Sequence, residues 1–409
     1  MRLHAASPLE RGLRLREGGA LGARAVQCAR GRGAADDAQL RRAEPRQHGV
    51  GLRNGQLQGA GAIRRDLGGR CELAAEELLL RVHSLPASFT QDGGHSSAAM
   101  PRLAEFSEYE LATTAWAFAS AGHSAPALLD AIAEMAVRRL RDFKPQHLSK
   151  MAWAYAKAGH SAPALLDAIA AAAAPQLHRF YPQNLASTAW AFATAGRSAP
   201  MLLEAIATEA APRLADFPPQ HLVHLAWAFA AADATSHELF DSQHRFVELC
   251  DAAAQSLGPS DFEQLHQWQL WLEERETPAW PPLSKPLAAR CRASFSGGEP
   301  SPMLQRVIAA LTSLGLQPRQ KVRTPLGYVV DAVVEFEGRE VAVEVDGPSR
   351  FVGRVPAGAT ALKRRQLRAA GWTLLSVPYW EWERLEEEVV DGRGTSPSAY
   401  LERELRLTG

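Results

Sequence analysis

The stretch FKPQHLSKMAWAYAKAGHSAPALLDAIAAAAAPQLHR, residues 143–179, decides the fold. Shifted by 37 positions in either direction, it meets a near copy of itself. Trp116, Trp153, Trp190 and Trp227 keep that step, and so do Phe106, Phe143, Phe180 and Phe217. Leu111, Leu148, Leu185 and Leu222 form another column, as do Gly122, Gly159 and Gly196, and again Pro126, Pro163 and Pro200. Columns in register at such a period mean stacked supersecondary units, each burying its apolar face only against its neighbours. The expected fold class is an α-helical solenoid of two-helix repeats over 106–276, with units starting at 106, 143, 180 and 217.

Each unit predicts its own punctuation. A first helix runs from about Glu108 to Ala121, and Gly122 supplies the left-handed residue that ends it. Ser124 can cap the next helix, and Pro126 falls in the first turn, where its missing N–H costs nothing. Leu128, Leu129, Ile132, Met135 and Ala136 then form an apolar stripe at helical spacing. Lys144-Pro145, Tyr181-Pro182 and Pro218-Pro219 restart the chain, because proline breaks a helix interior. The tryptophans are expected in the core, wedged between helices. Beyond the fourth first helix the pattern degrades. Leu265, Trp268, Trp271 and Leu272 predict a bridging helix over 261–275, and the prolines and Gly297-Gly298 of 277–301 predict a linker.

The chain has 409 residues, 46% of them apolar, and equal numbers of acids and bases, so whole-chain charge selects no partner. Its distribution says more. Residues 1–70 hold 14 arginines, no lysine and six acids, without apolar periodicity. Residues 1–100 are therefore expected to be disordered or transit-like, as an organellar targeting segment would be. Cys28, Cys71, Cys250 and Cys291 form no C-x-x-C pair and predict neither a zinc site nor a disulfide framework. No apolar run is long enough for a membrane span.

The columns that vary are the ones that can meet a ligand. Three residues before each Trp stand Thr113, Lys150, Ser187 and His224. Four after it stand Ser120, Lys157, Thr194 and Ala231, and seven before it Tyr109, Gln146, Gln183 and Gln220. These positions share one helix face. A polar, variable stripe along near-identical helices suits a reader of an extended ligand such as RNA. It equally suits an ordinary solvated face. Residues 101–240 carry 10 Lys+Arg against 12 Asp+Glu, so the array by itself is no phosphate-tracking surface.

From Ser301 the period changes. Met303–Leu314 predicts an amphipathic helix, Tyr328–Phe336 and Val341–Val345 predict strands joined at Glu337-Gly338, and Thr360–Ala370 predicts a basic helix. Trp372–Val377 predicts a last strand that Pro378 stops. The order α-β-β-α-β makes a small α/β domain. Residues 301–385 hold 12 Lys+Arg and 8 Asp+Glu. Lys363, Arg364, Arg365 and Arg368 cluster on the basic helix as candidate RNA contacts.

The runs VAVEVDGPSRF (341–351), TALKRRQLRAAGW (360–372) and SVPYWEW (376–382) together resemble the RAP domain, over roughly 302–385. Arg350 stands where that family usually has His. The 37-residue unit resembles the heptatricopeptide repeats that often precede RAP domains. The resemblance implies RNA binding in mitochondria or chloroplasts, in RNA processing, stability or ribosomal RNA metabolism, with other organellar RNA-processing or ribosomal proteins as expected partners. It also implies a fold like that of restriction endonucleases of the PD-(D/E)XK type. Those enzymes set carboxylates on adjacent strands around a divalent metal. Here Asp331, Glu344 and Asp346 would hold Mg²⁺, with Lys363 as the catalytic cation. The simpler reading is a decayed nuclease that binds RNA and needs no cofactor, with Glu344 in a structural ion pair, and the Mg²⁺-dependent endonuclease is the alternative to it. A protein-interaction scaffold is a third reading. Residues 386–409 predict a flexible turn and a short charged helix.

Overall fold

In the computed structural model, residues 103–240, 245–275, 281–295, 301–390, 394 and 396–408 are described. The expectations for residues 1–100 lie outside them. The repeats begin with α1 (Glu108–Ala121) and α2 (Pro126–Arg139), then α3 (Pro145–Ala158) and α4 (Pro163–Ala173). Two more first helices follow, α5 (Pro182–Thr194) and α7 (Pro219–Ala232), with α6 (Pro200–Ala210) between them. The first helices pack on one another in series, α1 on α3, α3 on α5 and α5 on α7. Their leucine column is fully buried, as are the alanines one before each Trp, and the small alanines let the helices approach closely. Each second helix buries its paired leucines, such as Leu165 and Leu166, and ends in a 3-10 turn before the next Phe.

Helix ends follow from single residues. Ser107 and Glu110 form a reciprocal capping box at the start of α1. Proline opens α3, α5 and α7, where its missing N–H is harmless. Gly122, Gly159 and Gly196 end the first helices at φ 67°, 64° and 63°. Asp233 takes the same place in the fourth unit at φ 54°, a backbone an L residue adopts at a cost. The cap expected of Ser124 is not formed: Ala125 precedes α2, without a side-chain hydrogen bond.

The array does not stop at α7. Short α8 (His237–Phe240) and α9 (Arg245–Ala253) stand where the fourth second helix belongs, and α10 (Pro259–Glu273) packs on α7 as the bridging helix. Trp268 and Trp271 of α10 are buried. The linker predicted over 277–301 instead contains α11 (Lys285–Ala293), which packs on α10 through buried Leu287 and Cys291. Ser284 caps it by accepting from the Leu287 N–H, so Pro286 sits in a first turn rather than breaking a helix.

The C-terminal domain opens with α12 (Pro302–Ser313), β1 (Arg319–Arg323), β2 (Val329–Phe336) and β3 (Arg339–Asp346). A hairpin of β4 (Phe351–Val352) and β5 (Val355–Pro356) leads into α13 (Gly358–Ala369), then β6 (Thr373–Pro378) and α14 (Tyr379–Val390). The main sheet has the order β1-β2-β3-β6, antiparallel except for the parallel β3–β6 pair that α13 crosses over. The tail is not free: α15 (Pro397–Leu407) buries Tyr400, Leu401 and Leu405 against α12 and the sheet, so the domain extends past the predicted boundary at 385. That core covers one sheet face. On the other face, Val330, Val333, Ala342 and Leu367 share a cluster with Leu270 of α10 and with Phe295. The last solenoid helix thus closes the sheet of the domain that follows it.

Candidate nucleic-acid interface

The polar stripe on the first helices is only partly open. Thr113 is buried, and its hydroxyl accepts from Lys150 Nζ at 3.4 Å. The Lys150 ammonium also lies 5.5 Å from the ring centres of Tyr109 and Trp116. Ser187 and His224 are half-buried. The His224 ring stands 5.8 Å from Trp190 and 5.6 Å from His221, and burial pushes its pKa down to about 4, so it is neutral at pH 7. Thr113 therefore drops out as a ligand contact, while Lys157, Gln146, Gln183 and Gln220 are exposed. The tryptophans behind the stripe form a ladder rather than a closed core. Trp153 stacks on Trp190 at 6.3 Å and 28°, Trp190 meets Trp227 at 6.3 Å and 38°, and of the four only Trp227 is fully buried.

The basic helix departs further from expectation. Lys363 Nζ donates to Glu344 Oε2 at 2.8 Å and to the Val329 carbonyl at 2.9 Å. Arg364 donates to Asp346 Oδ2 at 2.6 Å, and the Ser376 hydroxyl donates to the same oxygen at 2.8 Å. On β1, Lys321 Nζ donates to Asp331 Oδ1 at 2.8 Å, while the Val345 N–H holds the other oxygen at 3.0 Å. Asp331, Glu344 and Asp346 therefore each have their own cation. Among the described residues, no group of three or more His, Cys, Asp or Glu could hold a metal ion. The shared metal-ligand set expected of Asp331, Glu344 and Asp346 is not the arrangement found: lysine and arginine supply the positive charge instead. Burial pushes the Glu344 carboxyl up, and the neighbouring Lys363 ammonium opposes that shift.

Arg365 faces the solenoid. It donates to the Ala230 carbonyl at 2.6 Å and lies 3.6 Å from Glu274 and 4.0 Å from Asp233. Asp233 also accepts from Trp271 and Arg275, each at 2.8 Å. The Asp in the glycine column thus ties α7, α10 and α13 together. Gln366 adds a bond to the Gln267 carbonyl at 2.8 Å. Gly358, at the start of α13, lies so close to α5 that an added Cβ would overlap the Ala193 carbonyl. Of the four basic residues, only Arg368 is fully exposed. The helix is a keel between sheet and solenoid: Lys363, Arg364 and Arg365, expected as RNA contacts, lie half-buried in internal ion pairs.

The same seam gathers residues that the sequence did not single out. Phe351 meets Trp380 edge to face at 4.4 Å, and Trp380 meets Tyr379 at 5.2 Å. Arg354 lies 5.9 Å from the Trp380 ring centre. The hairpin that carries Phe351 and Arg354 rests on the first helices' ends, with the Phe351 carbonyl facing Gly159 and Gly353 facing Ser161. The one available signal was the run of aromatics in PYWEW, which carries no indication of which rings are open.

The sequence model of the RAP domain family matches residues 343–390, from the middle of β3 through the hairpin and α13 to α14. This chain carries a RAP domain. A chloroplastic RAP domain-containing protein of rice (Oryza sativa subsp. japonica) is 52% identical to it over 64 residues. That similarity covers 15% of this chain and spans 10% of the relative's length. The RAP match thus contains the hairpin, the keel helix and the Tyr379–Trp380 pair. Among the described residues, no helix is long and apolar enough to cross a membrane.

Proposed function

We propose that this protein binds RNA in an organelle and acts in RNA processing, stability or ribosomal RNA metabolism. The observation that carries this reading is the RAP domain at 343–390, seated on the ends of the repeat helices so that both contribute to one surface. The relative's chloroplastic name and the arginine-rich N-terminal composition support an organelle, and the chloroplast in particular. The repeats, read as heptatricopeptide-like, offer the exposed glutamines and Lys157 as the backbone-tracking part. RNA-processing or ribosomal proteins would share the bound transcript. We read the mixed sheet as a restriction-endonuclease-like domain used for binding, because Asp331, Glu344 and Asp346 are each neutralised by a side chain.

Crosslinking in cells followed by sequencing of the attached RNA tests the reading. Enrichment of defined organellar transcripts is the expected result. Enrichment of protein partners with no RNA above background would replace it with a scaffold. Mg²⁺-dependent cleavage that is lost in Asp331→Ala with Glu344→Ala would replace it with an endonuclease.

A further inference from the structure

We propose that the rim of the RAP domain beside the hairpin is a stacking site for unpaired RNA nucleotides. Trp380 and Tyr379 receive the bases, and Arg350, Arg354 and Lys157 receive the flanking phosphates. This deepens the RNA-binding reading and rests on it.

The aromatic geometry comes first. Trp380 and Tyr379 are half-buried at the start of α14, just past the end of β6. Their planes cross at 83°, and the Phe351 and Trp380 planes cross at 68°. Among the described residues no ring lies flat on Trp380: Phe351 and Tyr379 brace it edge to face, an arrangement that leaves stacking to a planar partner. Base–aromatic stacking tolerates any sequence because every base has a π-face. A duplex keeps those faces within its own stack, so the platform selects unpaired nucleotides.

The charges come second. Arg350, Arg354 and Lys157 are exposed, and among the described residues none has a carboxylate partner. Lys157 lies two residues before Gly159, which faces the hairpin, so the solenoid supplies the third cation from across the seam. Two of the acids near the rim are engaged, while Glu383, one turn along α14, is exposed. Asp346 is held by Arg364 and Ser376, and Glu381 accepts from the Tyr400 hydroxyl at 2.6 Å. The Arg354 guanidinium over Trp380 occupies a cation–π position from which it can turn toward a phosphate. Rings flanked by unpaired cations suit a polyanion with flat side groups better than a peptide.

Fluorescence anisotropy with the full chain tests this on three probes: a random single-stranded RNA of about 20 nucleotides, its duplex, and an abasic strand of the same length. Trp380→Ala is expected to weaken single-strand binding about 5- to 100-fold and to leave the abasic strand unaffected. Trp380→Phe keeps a ring and should restore most of the affinity. Arg350→Ala with Arg354→Ala should weaken both single strands and lower the log–log salt slope by about 1.4. If Trp380→Ala proves unfolded by melting, Arg354→Glu on the exposed hairpin carries the test, with the same direction of loss. Wild-type affinity in Trp380→Ala or Arg354→Glu overturns the site and leaves the RNA-binding reading standing. So does equal binding of duplex and single strand. A wild-type chain that binds none of the probes overturns both.

Discussion

The repeat array and the RAP domain treat charge in opposite ways. The array is close to neutral, with 10 Lys+Arg and 12 Asp+Glu over residues 101–240, yet it leaves Lys157 and a row of glutamines in water. The RAP region has a surplus of bases, yet three of the four cations on its basic helix lie against carboxylates and the solenoid, and only Arg368 is exposed. A charge count therefore points to the wrong surface. What governs contact with a polyanion is the number of cations without an internal partner. By that measure Lys157 stands on one side of the seam and Arg350, Arg354 and Arg368 on the other.

The largest effect separating the two regions is expected at Lys363. Lys363→Met leaves the buried Glu344 without its cation and should cost about 3–5 kcal/mol in urea melting, as breaking a buried pair does. RNA affinity per folded molecule should stay at the wild-type level. Lost affinity with unchanged stability would return the basic helix to the RNA surface. Acid comes next. The unfolded chain protonates His224 near pH 6.5 and the folded chain only near about 4, so between these values the unfolded state binds more protons. The stabilisation is complete above pH 6.5 and lost as the pH falls, by about 2 kcal/mol at pH 5. His147 and His221 are also lowered by burial and add to the loss. Glu344, raised by burial, has the opposite sign: its contribution is present at low pH and lost as pH rises through its folded pKa. His224→Gln should narrow the gap in Tm between pH 7.5 and pH 5, and an unchanged gap would remove His224 from this account.

The seam is tested by Gly358→Ala. The added methyl meets backbone of α5 and should cost about 1–3 kcal/mol, visible as faster limited proteolysis between the solenoid and the RAP domain. An unaltered cleavage pattern would mean the two regions are not in register as described. The smallest effect belongs to the stripe. Lys157→Ala should lower the salt slope of single-strand binding by about 0.7 and change stability little. An unchanged slope would leave the stripe as a solvated face.

How much of this was legible in the sequence depended on the range of the interaction. The repeats were readable because Leu148, Trp153 and Gly159 recur with their neighbours at a fixed step, and helix periodicity is local. Strands β2 and β3 were readable from β-branched runs around Glu337-Gly338. Strand β1, RQKVR, was missed because it is polar and exposed at the sheet edge, with Lys321 at φ 51°. Helix α11 was hidden by prolines that turn out to lie at and before its start, and α15 by a charged composition that masks Tyr400, Leu401 and Leu405. The candidate site was legible only as a set of residue types. Lys363 and Glu344 are 19 positions apart, and Arg365 reaches a carbonyl 135 positions away. Neither partnership leaves a periodic trace.

The closed second face of the sheet has a consequence for modularity. Family similarity travels with residues 343–390, but Val330, Val333, Ala342 and Leu367 are kept from water in part by Leu270, which belongs to the repeat array. Heredity and folding thus draw their boundaries in different places. The segment recognisable as a unit of descent is a fragment of the unit of stability. Of those four residues only Leu367 lies inside it, so in this chain the apolar face is built and covered largely by residues from outside the family match.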